Sequence, residues 1–163
     1  MSTGLDARKQ PSSDSPGVIV LPPVLYICAL TAGVPLHCVW PIRLLPPVIS
    51  RIIDTLLVVG SGILATWGAA TMGRAGTNVR PDQPTLAIVV DGPFRFSRNP
   101  LYLALTGIYV GLAMLFNMAW PILLLPVLLA LLHWGVIRRE ERYLEAEFGS
   151  TYLSYKARVR RWL

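Results

Sequence analysis

Charged residues are scarce in this chain of 163 residues, and three long stretches lack them entirely. Asp, Glu, Lys and Arg make up 15% of the sequence, whereas a soluble domain carries about 25%. None of them occurs in residues 15–42, 55–73 or 99–137. A membrane-spanning helix needs about 20 mainly apolar residues. These stretches therefore argue against an ordinary soluble domain and predict an integral membrane protein.

Cysteine and histidine are also rare, with two of each in the chain. Cys28 and Cys38 both fall in the first apolar stretch, and His37 is merely adjacent to Cys38. This pattern gives no indication of a disulfide framework, and it predicts that the protein has no metal site. We expect both cysteines to be buried as small apolar side chains.

The apolar stretches predict an all-α integral membrane bundle with four transmembrane helices. The first two stretches suit one helix each, and the third is long enough for two helices that reverse direction near Asn117 and Pro121. We expect Gly149 to end the last helix. The predicted helices lie at about residues 18–40, 50–73, 100–117 and 121–147.

Small residues predict close contacts between these helices. Gly107 and Gly111 lie four residues apart on the third helix, and Gly60, Gly62 and Gly68 lie on the second. Because small side chains let helix backbones approach closely, we expect both faces to pack against other helices.

The basic residues are distributed unevenly, and their placement predicts the orientation of the chain. All Lys and Arg residues except Arg43 and Arg51 lie before the first helix, in the loop after the second helix, or from residue 138 onward, in the last turns of the fourth helix and beyond it. The positive-inside rule then places both termini in the cytoplasm. A basic segment directly after a transmembrane helix favours contact with anionic lipid headgroups over binding of nucleic acid.

This orientation divides the chain into three parts. Residues 1–16, rich in Ser, Pro and charge, are predicted to be a disordered cytoplasmic tail. Residues 17–73 contain the first two transmembrane helices. Residues 74–163 form the core that carries the candidate site, and within it we interpret residues 150–163 as a segment on the membrane surface.

Two polar segments, residues 92–102 and 138–144, interrupt the apolar sequence and mark the candidate site. Ionisable side chains at membrane depth are costly and usually functional. A tight hairpin of the last two helices would bring both segments to one end of the bundle. The free N–H groups at the start of the third helix can receive an anion. Glu140 and Glu141 supply negative charge, and Arg98 supplies positive charge.

The two segments resemble those of the membrane-embedded isoprenylcysteine carboxyl methyltransferase family, which is related to phospholipid N-methyltransferases. The matching sequence covers residues 92–102 and 140–152, the ending at 155–162 also fits, and residues 75–79 look like the bacterial branch of the family. The resemblance covers roughly residues 70–163. It implies S-adenosylmethionine as cofactor, bound mostly by the last two helices and their cytoplasmic ends.

The resemblance also implies which residues hold the cofactor. By position, a cofactor site would be lined by Arg98, Asn99, Pro100, Leu101 and Tyr102, and closed by Glu140 and Glu141. His133 lies about two helical turns before Glu140 on the same face, so it is a further candidate. Many members of the family have His where this chain has Asn99, and an amide does not titrate near neutral pH.

Methyl transfer from a sulfonium mainly needs in-line positioning. If the nucleophile is a carboxylate, it is already ionised, and Arg138 or Arg139 could orient it. If the nucleophile is an amine, it must lose a proton, and Glu141 or Glu140 is the candidate base. The resemblance favours carboxyl methylation of a lipid or isoprenoid-bearing acid that enters from the bilayer.

Two other functions fit part of the pattern. A membrane sterol-type reductase using NADPH has a similar C-terminal hairpin and tail, and a non-catalytic membrane protein could retain a degenerate site. Each site residue also has a plain structural explanation. Arg98 could be an interfacial anchor, and Glu140 and Glu141 could form a solvated helix face paired with neighbouring arginines.

Overall fold

The computed structural model describes residues 16–44 and 47–162, and within those ranges the chain is helical without a β-strand. The predicted all-α fold is confirmed. The predicted disordered tail, residues 1–16, lies outside the described residues except for Pro16. The five helices are α1 (Pro22–Val39), α2 (Pro47–Arg74), α3 (Pro100–Leu115), α4 (Ala119–Phe148) and α5 (Ser150–Arg158), and a short 3-10 turn covers Gly92–Arg95.

Three of the described helices are long and apolar enough to cross a membrane: α1, α2 over Arg51–Arg74, and α4. Four spanning helices were expected. The remaining one, α3, is apolar but has 16 residues, which corresponds to about 24 Å against a hydrocarbon core of about 30 Å. By contrast α4 has 30 residues, which corresponds to a length of about 45 Å. It is therefore longer than the hydrocarbon core is thick, and its polar second half extends beyond that core.

The outer surface of these helices is strongly apolar. Large apolar side chains are exposed on α1, α2 and α4, for example Ile27, Ile52, Leu56, Leu123 and Val127. A monomeric soluble protein rarely exposes apolar patches of this extent. This surface is therefore suited to lipid. Cys28 and Cys38 are exposed on it, so the expectation that they are buried was wrong, because the inward side of α1 is occupied by residues such as Tyr26 and Gly33.

Proline, asparagine and glycine set several of the helix ends. Pro22 and Pro100 occupy the first turns of α1 and α3, where a missing N–H costs nothing. Asn117 has a φ of 52° between α3 and α4, and its side chain accepts a hydrogen bond from the N–H of Leu44 at 2.8 Å. Gly149 has a φ of 51° and ends α4. The predicted reversal and the predicted stop are both confirmed.

The predicted hairpin of α3 and α4 brings the start of α3 to the second half of α4, where the Tyr102 hydroxyl lies 2.7 Å from Oε1 of Glu140, but the two helices are not each other's main neighbours. In the structure α3 packs mainly against α2, and α4 packs mainly against α1. Tyr26 of α1 contacts α3, because its hydroxyl lies 2.7 Å from the hydroxyl of Thr106 and its ring meets that of Tyr109 edge-on at 5.8 Å. It belongs to a core cluster in which residues of α1, α3 and α4 pack together: Tyr26, Tyr102, Tyr109, Leu128, Leu132, Val136 and Ile137.

Close packing of α2 and α3 depends on glycines of both helices. A Cβ on Gly107 would lie 2.0 Å from Oγ of Ser61, and one on Gly111 would lie 2.6 Å from Cγ2 of Val58. These contacts confirm the predicted small-residue face of α3. On α2 only part of the expectation is met. Gly68 meets the side chain of Leu101, whereas a Cβ on Gly60 or Gly62 would meet nothing within 4 Å among the described residues.

The second half of α4 contains a π-helical segment, His133–Ile137. Such segments are rare and recur at functional sites. Because a π turn is wider than an α turn, the side chains after it no longer follow the 3.6-residue period of the first half. His133 and Glu140 therefore do not share a face in the way that α-helical spacing predicts. The two buried residues at the end of the segment, Val136 and Ile137, face the core cluster instead.

Candidate functional site

A cleft opens at the polar end of the bundle, where α3 begins and the second half of α4 emerges. The cavity itself has a volume of about 130 Å³ and is open to solvent on one side. Organic ligands of ordinary size occupy clefts of about 300–1,000 Å³, so such a ligand would extend from this cavity into its open part. The lining combines the start of α3, the loop after α2 and the α4–α5 region: Pro16, Met72, residues 78–81, Thr85, residues 87–89, Phe94, residues 98–102, Glu140, Glu141, Leu144, Tyr152 and Tyr155.

Glu141 is the buried acid of this cleft, with a residue exposure of 7%. The guanidinium of Arg161 donates two parallel hydrogen bonds to it, from Nε to Oε1 at 2.9 Å and from Nη2 to Oε2 at 2.7 Å. Nη1 of Arg98 forms an ion pair with Oε1 at 2.9 Å. The hydrogen bond to Glu141 raises the pKa of Arg161 above its usual value. Two permanently charged guanidinium groups thus share one buried carboxylate.

This carboxylate retains capacity for a ligand. An ionised carboxylate has about four lone-pair positions, two on each oxygen. Among the described residues, Oε1 accepts a hydrogen bond from Arg161 and forms the ion pair with Arg98. Oε2 accepts one hydrogen bond, from Arg161. Oε2 therefore keeps an acceptor position for a donor that enters the cleft.

Arg98 is the buried cation of the cleft, and one of its nitrogens is unpaired. Its side chain is 10% exposed, and Nε is buried without a hydrogen-bond partner in the part of the chain that the structure describes. Its Nη1 also lies 3.5 Å from the hydroxyl of Tyr152. A buried donor without a partner is unfavourable by about 1–3 kcal/mol.

Glu140 and Tyr102 form a second polar pair. The Tyr102 hydroxyl, in a side chain that is 8% exposed, donates a hydrogen bond to Oε1 of Glu140 at 2.7 Å. Tyr102 lies in the first turn of α3, two residues after Pro100, which begins the helix. The pair links the start of α3 to the end of α4 and holds a carboxyl group in the cleft wall.

Asn99 and Ser97 hold the chain that follows α5. The amide Nδ2 of Asn99 donates to the carbonyl oxygen of Arg161 at 2.9 Å, and Oγ of Ser97 donates to the same oxygen at 3.2 Å. Asn99 was expected to face a cofactor. It lines the cleft, but its donor is directed to the protein backbone. An amide serves this contact well because the accepting atom is a carbonyl.

Two buried tyrosines of α5 form the floor of the cleft. Tyr155 donates its hydroxyl to the carbonyl of Phe94 at 2.8 Å, and the ring of Tyr152 lies 6.2 Å from that of Tyr155. Burial raises the pKa of both hydroxyls above the usual value, so they remain neutral donors. Lys156 of α5 also pairs with Glu145 of α4. The predicted surface segment is therefore docked on α4 through part of its length.

A comparison with known families identifies the chain. The profile of the phospholipid methyltransferase family matches residues 49–151, well over half of the sequence. The chain belongs to this family.

Other comparisons add less. A stretch of 27 residues is 63% identical to an uncharacterized protein of Haemophilus influenzae; it covers 17% of this chain and 43% of that protein. The chain thus matches less than half the length of this relative. No solved structure matches the chain significantly.

The structure brings together most of the predicted cofactor residues. The lining of the cleft includes Arg98, Asn99, Pro100, Leu101, Tyr102, Glu140 and Glu141. Three predicted residues lie elsewhere. Arg138 and Arg139 are exposed, and Nη1 of Arg139 donates to the carbonyl of Gly17 at 3.0 Å. His133 lies outside the lining, its ring edge-on to that of Trp134 at 5.7 Å.

Sequence reasoning missed two parts of the site. Arg161 was treated as one of several basic surface residues, yet it is the bidentate partner of Glu141. The loop after α2 was recognised as long but not as a cleft wall, and residues 87–89 are the apolar segment Ala-Ile-Val that lines it. The Arg-Arg-Trp ending was an available signal for Arg161, because an aromatic residue can pack against the protein and hold the segment that carries the arginine. Trp162 does pack against the core cluster.

Proposed function

We propose that this methyltransferase uses S-adenosylmethionine and transfers the methyl group to a lipophilic acceptor at the Glu141–Arg98 cleft. The observation that carries the proposal is the pairing of opposite charges within one partly apolar cleft. A buried carboxylate keeps an acceptor position free, and a buried guanidinium a few ångströms away keeps a donor free.

The residues present fit this cofactor. Its amino-acid portion carries an ammonium group, for which Oε2 of Glu141 is an acceptor, and a carboxylate, for which the N–H groups at the start of α3 are donors. The cavity is open to solvent, so a ligand of this size would extend beyond it. When bound, the cofactor supplies a methyl group that is already activated on a sulfonium.

For the acceptor we propose a carboxylate on a lipid or isoprenoid chain. Arg98 is the residue we assign to orient it, through its unpaired Nε. It replaces Arg138 and Arg139 in that role, since both lie outside the cleft. The carboxylate oxygen forms the new bond to the methyl carbon while the carbon–sulfur bond breaks, so the protein moves no proton. The apolar wall at residues 87–89 suits the hydrocarbon chain of such an acceptor.

A second candidate acceptor is the amine of a phospholipid, which the description of the matched family favours. A protonated amine must lose a proton before it reacts. Glu140, held by Tyr102 at 2.7 Å, is the carboxyl group in the cleft that could take it. Tyr102→Phe would then change the pH dependence of turnover, whereas for a carboxylate acceptor the pH profile would stay as in the wild type.

Cofactor identity is tested by calorimetry of the full-length protein in detergent. We expect saturable binding of S-adenosylhomocysteine and no binding of NADPH. Binding of NADPH alone would overturn the proposal in favour of a reductase. Absence of both, in protein shown to be folded by its thermal transition, would favour a non-catalytic membrane protein.

Acceptor chemistry is tested by transfer of a radiolabelled methyl group to extracted membrane lipids. A methyl ester releases methanol in alkali, whereas a methylated amine retains its label. Alkali-labile label supports the carboxylate, and stable label supports the amine. Arg98→Lys keeps a cation beside Glu141 but removes the free N–H, so we expect the acceptor KM to rise about tenfold. Arg95→Lys, at an exposed position three residues earlier, is the matched control.

A further inference from the structure

The last described residues of the chain return to the cleft and close one side of it. We call residues 159–162 the C-terminal strap. Its backbone is held by the segment that precedes α3: the N–H of Arg98 donates to the carbonyl of Arg160 at 3.0 Å. Ser97 and Asn99 donate to the carbonyl of Arg161 at 3.2 and 2.9 Å. Three donors from three consecutive residues thus fix the path of the strap.

These contacts already anchor the strap without the side chain of Arg161. Trp162 adds apolar contact with the core cluster. The strap therefore does not need the Arg161 guanidinium as an anchor. It spans 20 residues of sequence to reach Glu141 and binds it with both hydrogen bonds at good length, 2.9 and 2.7 Å.

The two cations on Glu141 act differently. Arg98 approaches Oε1 at 2.9 Å as an ion pair, and a single contact to one oxygen leaves the carboxylate plane free to rotate. The planar fork of Arg161 binds both oxygens and fixes that plane. In the observed orientation Oε2 keeps its second acceptor position. Without the fork, we expect the carboxylate to turn toward Arg98.

We propose that Arg161 is a positioning residue of the cofactor site, which holds the Glu141 carboxylate so that Oε2 accepts the ammonium group of the cofactor. The strap is then a wall of the site and not only a surface segment. This inference rests on the proposed use of S-adenosylmethionine. It assigns a role to a residue that touches the cofactor only through Glu141.

The first test measures binding of S-adenosylhomocysteine to full-length protein by calorimetry. Arg161→Ala should weaken binding about tenfold, by loss of an oriented charge-assisted contact. Arg161→Lys keeps the charge but not the fork and should recover only part of the loss, leaving about threefold weaker binding. Arg160→Ala is the matched control, since that side chain is exposed; its binding should stay within about twofold of the wild type.

The second test separates positioning from a general structural role. In a Glu141→Gln background, Arg161→Ala should weaken binding by less than about twofold, because the group that it positions is already gone. In the wild-type background, Arg161→Ala should raise the KM for the methyl donor and leave the acceptor KM within about twofold of the wild-type value. A merely structural role would instead give equal losses in both backgrounds and change both KM values together.

The outcomes distinguish this inference from the proposed function. If the wild type binds S-adenosylhomocysteine but Arg161→Ala behaves like Arg160→Ala, or if the losses are additive, the positioning role is wrong and the proposed function stands. If the folded wild type binds no S-adenosylhomocysteine, the proposed function is wrong and the positioning role falls with it.

Discussion

Glu141→Gln removes the one negative charge that two guanidinium groups share in the cleft. Amide and carboxylate have nearly the same shape, so the change tests charge without creating a cavity. Arg98, with a side chain that is 10% exposed, would be left as a buried cation without its ion pair. Removing one member of a buried ion pair costs about 3–5 kcal/mol. Because Arg161 is 33% exposed and can turn to solvent, we expect the lower end, about 3 kcal/mol.

This loss is large enough to measure. For a chain of this length about 3 kcal/mol corresponds to a fall in Tm of about 6–12 °C. Binding of S-adenosylhomocysteine should weaken about 10–100-fold, as expected for loss of a hydrogen bond to a charged group. Differential scanning fluorimetry in detergent and calorimetry would give the two numbers on the same preparations.

Glu145→Gln is the matched control, one helical turn later on α4. Glu145 pairs with Lys156, but their side chains are 33% and 35% exposed, and an exposed pair contributes about 0–1 kcal/mol. We expect little change in Tm and none in binding. Arg160→Ala should likewise leave binding unchanged, whereas Glu141→Ala should weaken it strongly. Equal effects of the Glu141 and Glu145 substitutions would refute the assignment of Glu141 as the charged centre of the site.

Two further predictions concern the packing that positions the site. Gly107→Ala places a Cβ 2.0 Å from Oγ of Ser61, so it should destabilise the protein by about 1–3 kcal/mol. Adding Ser61→Ala should recover part of that loss of stability. Gly60→Ala is the control, because a Cβ there meets nothing within 4 Å among the described residues, and it should leave Tm unchanged in the same thermal assay. Tyr26→Phe removes the 2.7 Å contact with Thr106 and should lower stability by about 1 kcal/mol. An unchanged Tm for Tyr26→Phe would show that this contact does not hold α1 against α3.

Local features of the sequence predicted much of the fold. Helix positions follow from the length of charge-free stretches and from prolines at helix starts, which act within a few residues of the chain. Asn117 and Gly149 adopt positive φ values where the sequence places a turn and a helix end. The polar segments at 92–102 and 138–144 were recognised for the same reason, since charge within apolar sequence is costly wherever the chain folds.

Other features were decided only by the tertiary structure. Local spacing could not show that Tyr26 of α1 contacts Thr106 of α3, because the contact joins residues 80 apart. Helical periodicity misplaced His133, because it assumed an α-helix through a π-helical segment. Arg138, Arg139 and Arg161 are equivalent in a charge count, yet two are exposed and one binds a buried carboxylate.

The difference between these arginines lies in the path of the chain after α5. Residues 159–162 turn back to the start of α3, where the Ser97–Asn99 segment offers three hydrogen-bond donors to backbone carbonyls. That return brings residue 161 next to residue 141. The sequence by itself determined that this is a helical membrane protein with charged groups at one end. The long-range return of the chain decided which charges meet, because pairing of buried charges depends on distances that no local pattern specifies.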